Sequence, residues 1–378
     1  MEREQAVKIM QDLLQLMVQR GGSDLFVTSG FPPAIKIDGL VVPVAEKPFT
    51  SEHTATLARA IMNDRQTRDF EGSKECNFAI SPRGIGRFRV NTFIQQGRVG
   101  MVLRTIKTEI PGFEELGLPE IIKEVVMAKR GLVMMVGATG SGKSTSLAAM
   151  LGFRNAHSQG HIITIEDPVE YVHPHMNCIV TQREVGVDTD DWAAALKNTL
   201  RQAPDVILIG EVRDRQTMDH AIQFSETGHL CLCTLHANSA NQALDRVINL
   251  FPDERKEQLL MDLSQNMKSI ISQRLIPRIG GEGRVAAFEI LLGTPLVQDL
   301  IFKGAIHELK DIMGKSTQQG MCTFDQSLFD LHERDLISYE EALRNADSKN
   351  ELRLRIKLDS KKSKQSDATG RLSIVEPD

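Results

Sequence analysis

No apolar run in this sequence approaches the roughly 20 residues that a helix needs to cross a bilayer. Membrane insertion is therefore not expected, and any membrane role would be docking on a membrane complex. The start, Met1-Glu2-Arg3-Glu4-Gln5, lacks the charged-then-apolar layout of a secretory signal, so a cytoplasmic protein is expected. The five cysteines, Cys76, Cys178, Cys231, Cys233 and Cys322, contain no C-x-x-C pair, which removes the zinc and redox signatures. Cys231 and Cys233 alternate along an apolar run, as buried thiols on one face of a strand would. Excess positive charge is missing too. A net charge of −5 and a pI near 6.1 argue against a dedicated nucleic-acid surface. No internal repeat is visible. What remains is an ordinary globular composition over 378 residues, too long for one typical core, so two or three domains are expected.

The most informative stretch is Gly137-Ala138-Thr139-Gly140-Ser141-Gly142-Lys143-Ser144, followed by Thr145. It comes after the apolar run Leu132–Val136 and opens onto a helix-compatible segment, the context a phosphate-binding P-loop requires. Glycines let backbone N–H groups turn inward on a phosphate, and the helix start adds partial positive charge. Lys143 would reach the β- and γ-phosphates of ATP, and the Ser144 hydroxyl would ligate Mg²⁺.

Along the chain, residues 6–20 read as an amphipathic helix ended by Gly21-Gly22. Short strands follow at Asp24–Thr28, Pro33–Ile37 and Leu40–Val44, with a hairpin signal at Asp38-Gly39, and then a helix from Ser51 to Phe70. Residues 76–105 are β-rich. Alternation there places Arg87, Arg89 and Asn91 on one strand face and Phe88 and Val90 on the other. Two readings of that face stay open: a solvated surface, or guanidiniums that reach a phosphate across a domain or subunit interface. The segment Thr108–Gly112 has linker composition.

Beyond the P-loop, three further apolar strands each end in polar residues. Residues 160–165 run into Glu166-Asp167-Pro168-Val169-Glu170, residues 205–210 into Glu211, and residues 230–235 into His236, with His229 just ahead of the third. This pattern predicts a parallel α/β sheet, whose ligands bind at the C-terminal strand edge. From Pro252 onward the sequence reads mainly as helix, for example 254–276 and 338–345. Glu166, Asp167, Glu170 and Glu211 are then the carboxylates available to a hydrolytic site, and His236 could sense a γ-phosphate.

These residues together resemble the type II/type IV secretion ATPases. The P-loop is similar to their Walker A motif, Thr164–Glu170 to the Asp box, and Ile209–Asp214 to an atypical Walker B. Glu226–Leu230 and Thr234–Ala237 are similar to the His box. The likeness covers nearly the whole chain on the pilus retraction (PilT/PilU) branch. It implies an α/β fold: a PAS-like α+β domain, then a RecA-like P-loop ATPase domain with a helical C-terminal part. The boundaries expected are 1–107, a linker at 108–116, 117–356, and a disordered tail at 357–378. It also implies a homo-hexamer that uses ATP and Mg²⁺. In that assignment Glu170 is the general base and Glu211 acts on the Mg²⁺ side. His229 and His236 serve near the phosphates, and Arg89, Arg98 and Arg104 are arginine contacts from the N-terminal domain.

Two absences narrow the branch. The extra N-terminal domain and tetracysteine zinc motif of assembly ATPases are lacking. Where PilT-type proteins carry a C-terminal Ala-Ile-Arg-Asn-Leu-Ile-Arg segment, this chain reads Pro295-Leu296-Val297-Gln298-Asp299-Leu300-Ile301-Phe302, without arginines. That resembles the accessory, PilU-like side of the branch and implies a PilT-type retraction ATPase and a PilC-like inner-membrane platform protein as partners. The alternative is a nucleotide-binding accessory subunit that hydrolyses little itself.

Overall fold

The computed structural model describes residues 2–37, 39–106, 109–281 and 283–360. The expected turn residue Asp38, the boundary residues 107 and 108, and tail residues 361–378 lie outside these. The chain forms two compact units. One comprises Met1–Ile110, Asp167–His173 and Gln182–Ala195, and the other Pro111–Glu166, Pro174–Thr181 and Leu196–Asp378.

The first unit is built on six antiparallel strands: β1 (Asp24–Val27), β2 (Ala34–Ile37), β3 (Leu40–Pro43), β4 (Glu75–Ile80), β5 (Arg87–Gln95) and β6 (Arg98–Ile106). Their spatial order is β3-β2-β1-β6-β5-β4. The helix Arg3–Gln19 buries Ala6, Met10, Leu14 and Met17, the three- and four-residue spacing of one helical face. Residues 51–70 divide into two helices, Ser51–Ile61 and Asp64–Ser73, because Asn63 caps the second by accepting from Gln66 N–H at 2.9 Å. In β5 the alternation holds. Phe88 and Val90 are fully buried, and the other face carries Arg87, Arg89 and Asn91.

The second sheet has seven strands: β7 (Gly131–Val136), β8 (Gly160–Glu166), β9 (Cys178–Glu184), β10 (Val206–Ile209), β11 (Leu230–Leu235), β12 (Met267–Pro277) and β13 (Arg284–Leu292). Their order is β13-β12-β7-β11-β10-β8-β9. β8, β10, β11, β7 and β12 pair in parallel, and β13 returns antiparallel on β12. Every residue of β7, β10 and β11 is buried, as expected of central strands covered on both faces. Cys231 and Cys233 are among them, as free thiols.

Two readings of the sequence are corrected here. Residues 254–276 are not one helix: the helix Lys256–Asn266 stops at Asn266, and residues 267–277 extend as β12. An apolar run reads alike as buried helix or buried strand, and here pairing with β7 on one side and β13 on the other decides it. Residues 357–359 belong to the helix Lys349–Asp359 rather than to a tail. Leu352 and Ile356 of that helix pack into a core with Phe324, Leu328 and Ile276.

Candidate active site

Parallel pairing aligns the ends of the strands. Val136 lies opposite Leu235, Ile209 opposite Cys233, and Ile209 also opposite Ile165. The residues that follow, Gly137, His236, Glu166 and, after Gly210, Glu211, therefore emerge along one edge of one sheet. The strand that leads to Glu211 is not beside the P-loop strand: β11 runs between them, which puts His236 in the middle.

The phosphate loop is held by β12, whose residues read as helix in the sequence. A Cβ at Gly137 would lie 2.7 Å from the Gln273 carbonyl oxygen on β12 and would also strike the Ser141 hydroxyl, so only glycine fits there. Gly142, at φ 87°, precedes the helix Lys143–His157, and Gln273 accepts from the Ser146 hydroxyl at 2.7 Å. Lys143 is buried, and its Nζ donates to the carbonyl oxygens of Gly137 (2.8 Å) and Ala138 (3.0 Å) across the loop. The Ser141 hydroxyl is buried without a hydrogen-bond partner among the described residues. An orphaned donor inside a glycine loop fits an anion. A cleft of about 280 Å³ opens beside the loop, lined by Gly137–Ser141, Asn238, Gln273, Arg274 and Arg284. Arg274 braces its wall by donating to the Asn238 and Asn345 carbonyls, pairing with Asp347 at 2.8 Å and stacking 3.8 Å from the Phe324 ring.

Glu211 is the most constrained carboxylate on this edge. Its Oε2 accepts from Arg213 Nε at 2.8 Å and Nη2 at 2.7 Å, and its Oε1 lies 3.1 Å from His236 Nε2. Partial burial pushes its pKa up. The Arg213 hydrogen bond and charge, with His236 and Lys143, outweigh that and hold it below the usual carboxylate range. The group is ionised at neutral pH. Behind it, Thr234 donates to the Gly210 carbonyl and Val212 N–H to the Thr234 carbonyl, locking the turn after β10 to β11. The Arg246 guanidinium donates to the His236 carbonyl at 2.8 Å. Glu166 accepts from the Thr164 hydroxyl at 2.6 Å.

Not every candidate converges here. His229 sits before β11, at the opposite end of that strand from His236, where its Nδ1 meets the Phe224 carbonyl and the Thr227 hydroxyl. Six residues of strand, about 20 Å at ~3.3 Å each, separate it from the phosphate-loop edge of this chain. Of the two histidines, only His236 lies on the phosphate-loop edge of its own chain. Glu170, Arg89, Arg98 and Arg104 belong to the first unit. There Glu170 is exposed, and Arg104 is paired with the buried Asp24 at 2.7 Å. Gln273 and Arg274 are not legible as site residues in the sequence, because their apolar segment reads as helix. Arg213 was legible only as part of a motif, its grip on Glu211 being a matter of geometry.

A parallel sheet with a glycine phosphate loop, and an ionised glutamate one strand removed on the same edge, defines a P-loop ATPase class of protein. Within that class the chain belongs to the Type II/IV secretion system protein family, whose model matches residues 2–376. It is 62% identical to the type IV pilus ATPase PilU of Pseudomonas aeruginosa, over 93% of this chain and 92% of that protein. It is 44% identical to the type IV pilus retraction ATPase PilT of the same organism, over 89% and 97%. The crystal structure of the pilus retraction motor PilT with bound ADP superposes with a TM-score of 0.85 at 39% identity, covering 91% of this chain and 98% of that one. No described helix is long and apolar enough to cross a membrane.

Proposed function

We propose that this chain is an ATP-hydrolysing motor subunit of the type IV pilus machine that drives or assists pilus retraction, and that it works as a homo-hexamer docked on an inner-membrane platform protein. The observation that carries the chemistry is Glu211, kept ionised by Arg213 and His236 on the edge that holds the phosphate loop. The likeness to proteins named as pilus ATPases, one of them with ADP bound, supports ATP as the substrate. Ser144 and Glu211 offer the hard oxygen donors that suit Mg²⁺, which when bound neutralises charge on the β- and γ-phosphates. The backbone N–H groups of the loop and Lys143 hold and orient those phosphates, and His236 reports their state to β11. Glu170 orients and deprotonates the attacking water. Arg89, Arg98 and Arg104 supply positive charge to the leaving phosphate from a neighbouring domain or subunit. For Arg104 this requires exchange away from Asp24.

Steady-state ATPase assays test the assignment. Lys143→Ala should abolish turnover, and Glu211→Ala should slow it by roughly 100-fold or more, the range for loss of a charge-stabilising group. Unchanged rates in either purified variant would sink it.

A second reading, an accessory subunit that acts through a PilT-type partner, is favoured by the helix Pro295–Phe302. That helix exposes Leu296 and Phe302, about half accessible each, where a PilT-type segment carries arginines. Pilus retraction in cells that lack the partner would refute that dependence.

A further inference from the structure

Glu184 ends β9 and is 2% exposed, among the most buried carboxylates of the described residues. Its Oε2 accepts from Val169 N–H at 3.1 Å, and Val169 is the residue immediately before Glu170. The backbone around Glu184 is itself pinned. Its N–H donates to Asp188 Oδ2 at 2.9 Å, and its carbonyl accepts from Val187, Asp188 and Thr189. Two residues upstream, Gln182 makes two more links to the same acidic segment, accepting from His173 N–H at 2.8 Å and donating to the Tyr171 carbonyl at 2.8 Å. The stretch that carries Glu170 is thus laced at three points to the end of β9.

The carboxylate also feels the arginine strand. Burial pushes its pKa up, while the Val169 N–H and the charges of Arg89 and Arg87 pull the other way. Arg87 Nε is itself buried without a hydrogen-bond partner among the described residues. A buried carboxylate is unfavourable where an apolar side chain could fill the space, so packing alone does not account for a glutamate here.

We propose that Glu184 is a positioning residue, which fixes the backbone just ahead of Glu170 and so sets where that carboxylate stands. It rests on the reading of Glu170 as general base, and it acts through that residue rather than on ATP.

The test uses the full chain, with kcat and KM for ATP and melting temperature measured for E184Q, E184A, E170Q and the E170Q/E184Q double variant. E184Q keeps an oxygen that can accept from Val169 but loses the charge. It should lower kcat on the order of tenfold with KM within about twofold. E184A, which loses both, should lower kcat further. If E184A does not fold, E184Q and the double variant carry the test. Adding E184Q to E170Q should leave kcat where E170Q alone puts it, because positioning a group that is absent has no effect. A wild-type kcat for E184Q, or losses that multiply in the double variant, would overturn the proposal while a slow E170Q left the general-base reading standing. A wild-type rate for E170Q would instead remove that reading, and the positioning role with it.

Discussion

At the scale of single residues, the site turns on which charges are balanced and which are not. Glu211 is already ionised through Arg213 and His236, so its work does not depend on titration near neutral pH. Removing the arginine leaves partial burial to push the pKa up. Arg213→Ala is therefore expected to move the acid limb of the kcat–pH profile upward, and an unshifted limb would contradict this account. His173 is the contrasting case. It is buried, its Nδ1 has no hydrogen-bond partner among the described residues, and desolvation lowers its pKa from 6.5 to about 4. Between those values the unfolded chain binds a proton that the folded chain refuses, so stability falls as pH drops from about 6.5 towards about 4. His173→Gln should flatten that part of a melting-temperature titration. An equal slope in the variant would show that other groups set it.

Among elements, the phosphate loop depends on β12 as much as on its own glycines. Gly137 and Gly142 are pressed against Gln273, and Gln273 also takes the Ser146 hydroxyl at the start of the next helix. Gly137→Ala would drive a methyl group into backbone, which does not yield as a flexible side-chain end would. The expected outcome is loss of ADP binding in a calorimetric titration together with a stability loss of about 1–3 kcal/mol. Normal ADP affinity would mean that the strand does not set the loop. The central strand β11 shows the other kind of dependence, since all six of its residues are buried. Here the core and the site share an element, as β11 both fills the sheet and delivers His236.

For the whole molecule, the prediction concerns assembly and partners. Light scattering on the purified protein with ADP should give six times the 42.1 kDa chain. A monomer or dimer under all nucleotide conditions would count against the hexameric motor. With a net charge of −5, the chain should show no DNA-stimulated turnover at low salt. Stimulation that faded with added salt would revive a nucleic-acid motor.

The phosphate loop, the acidic ends of β8 and β10, and the inward and outward faces of β5 are all legible in the order of the amino acids. These are local properties: glycine spacing, an apolar run broken by a charge, and a period of two each show within a few residues. That residues 267–277 are strand follows from long-range pairing, because an apolar segment becomes helix or strand according to what pairs with it. The same step brought Gln273 under the loop. Likewise, no spacing in the chain connects Glu184 to Val169, 15 residues away; their hydrogen bond exists because the fold buries that carboxylate beside that N–H. Chemistry that needs a residue type in a pattern was legible in the chain, and chemistry that needs two distant residues a few ångströms apart was settled by packing.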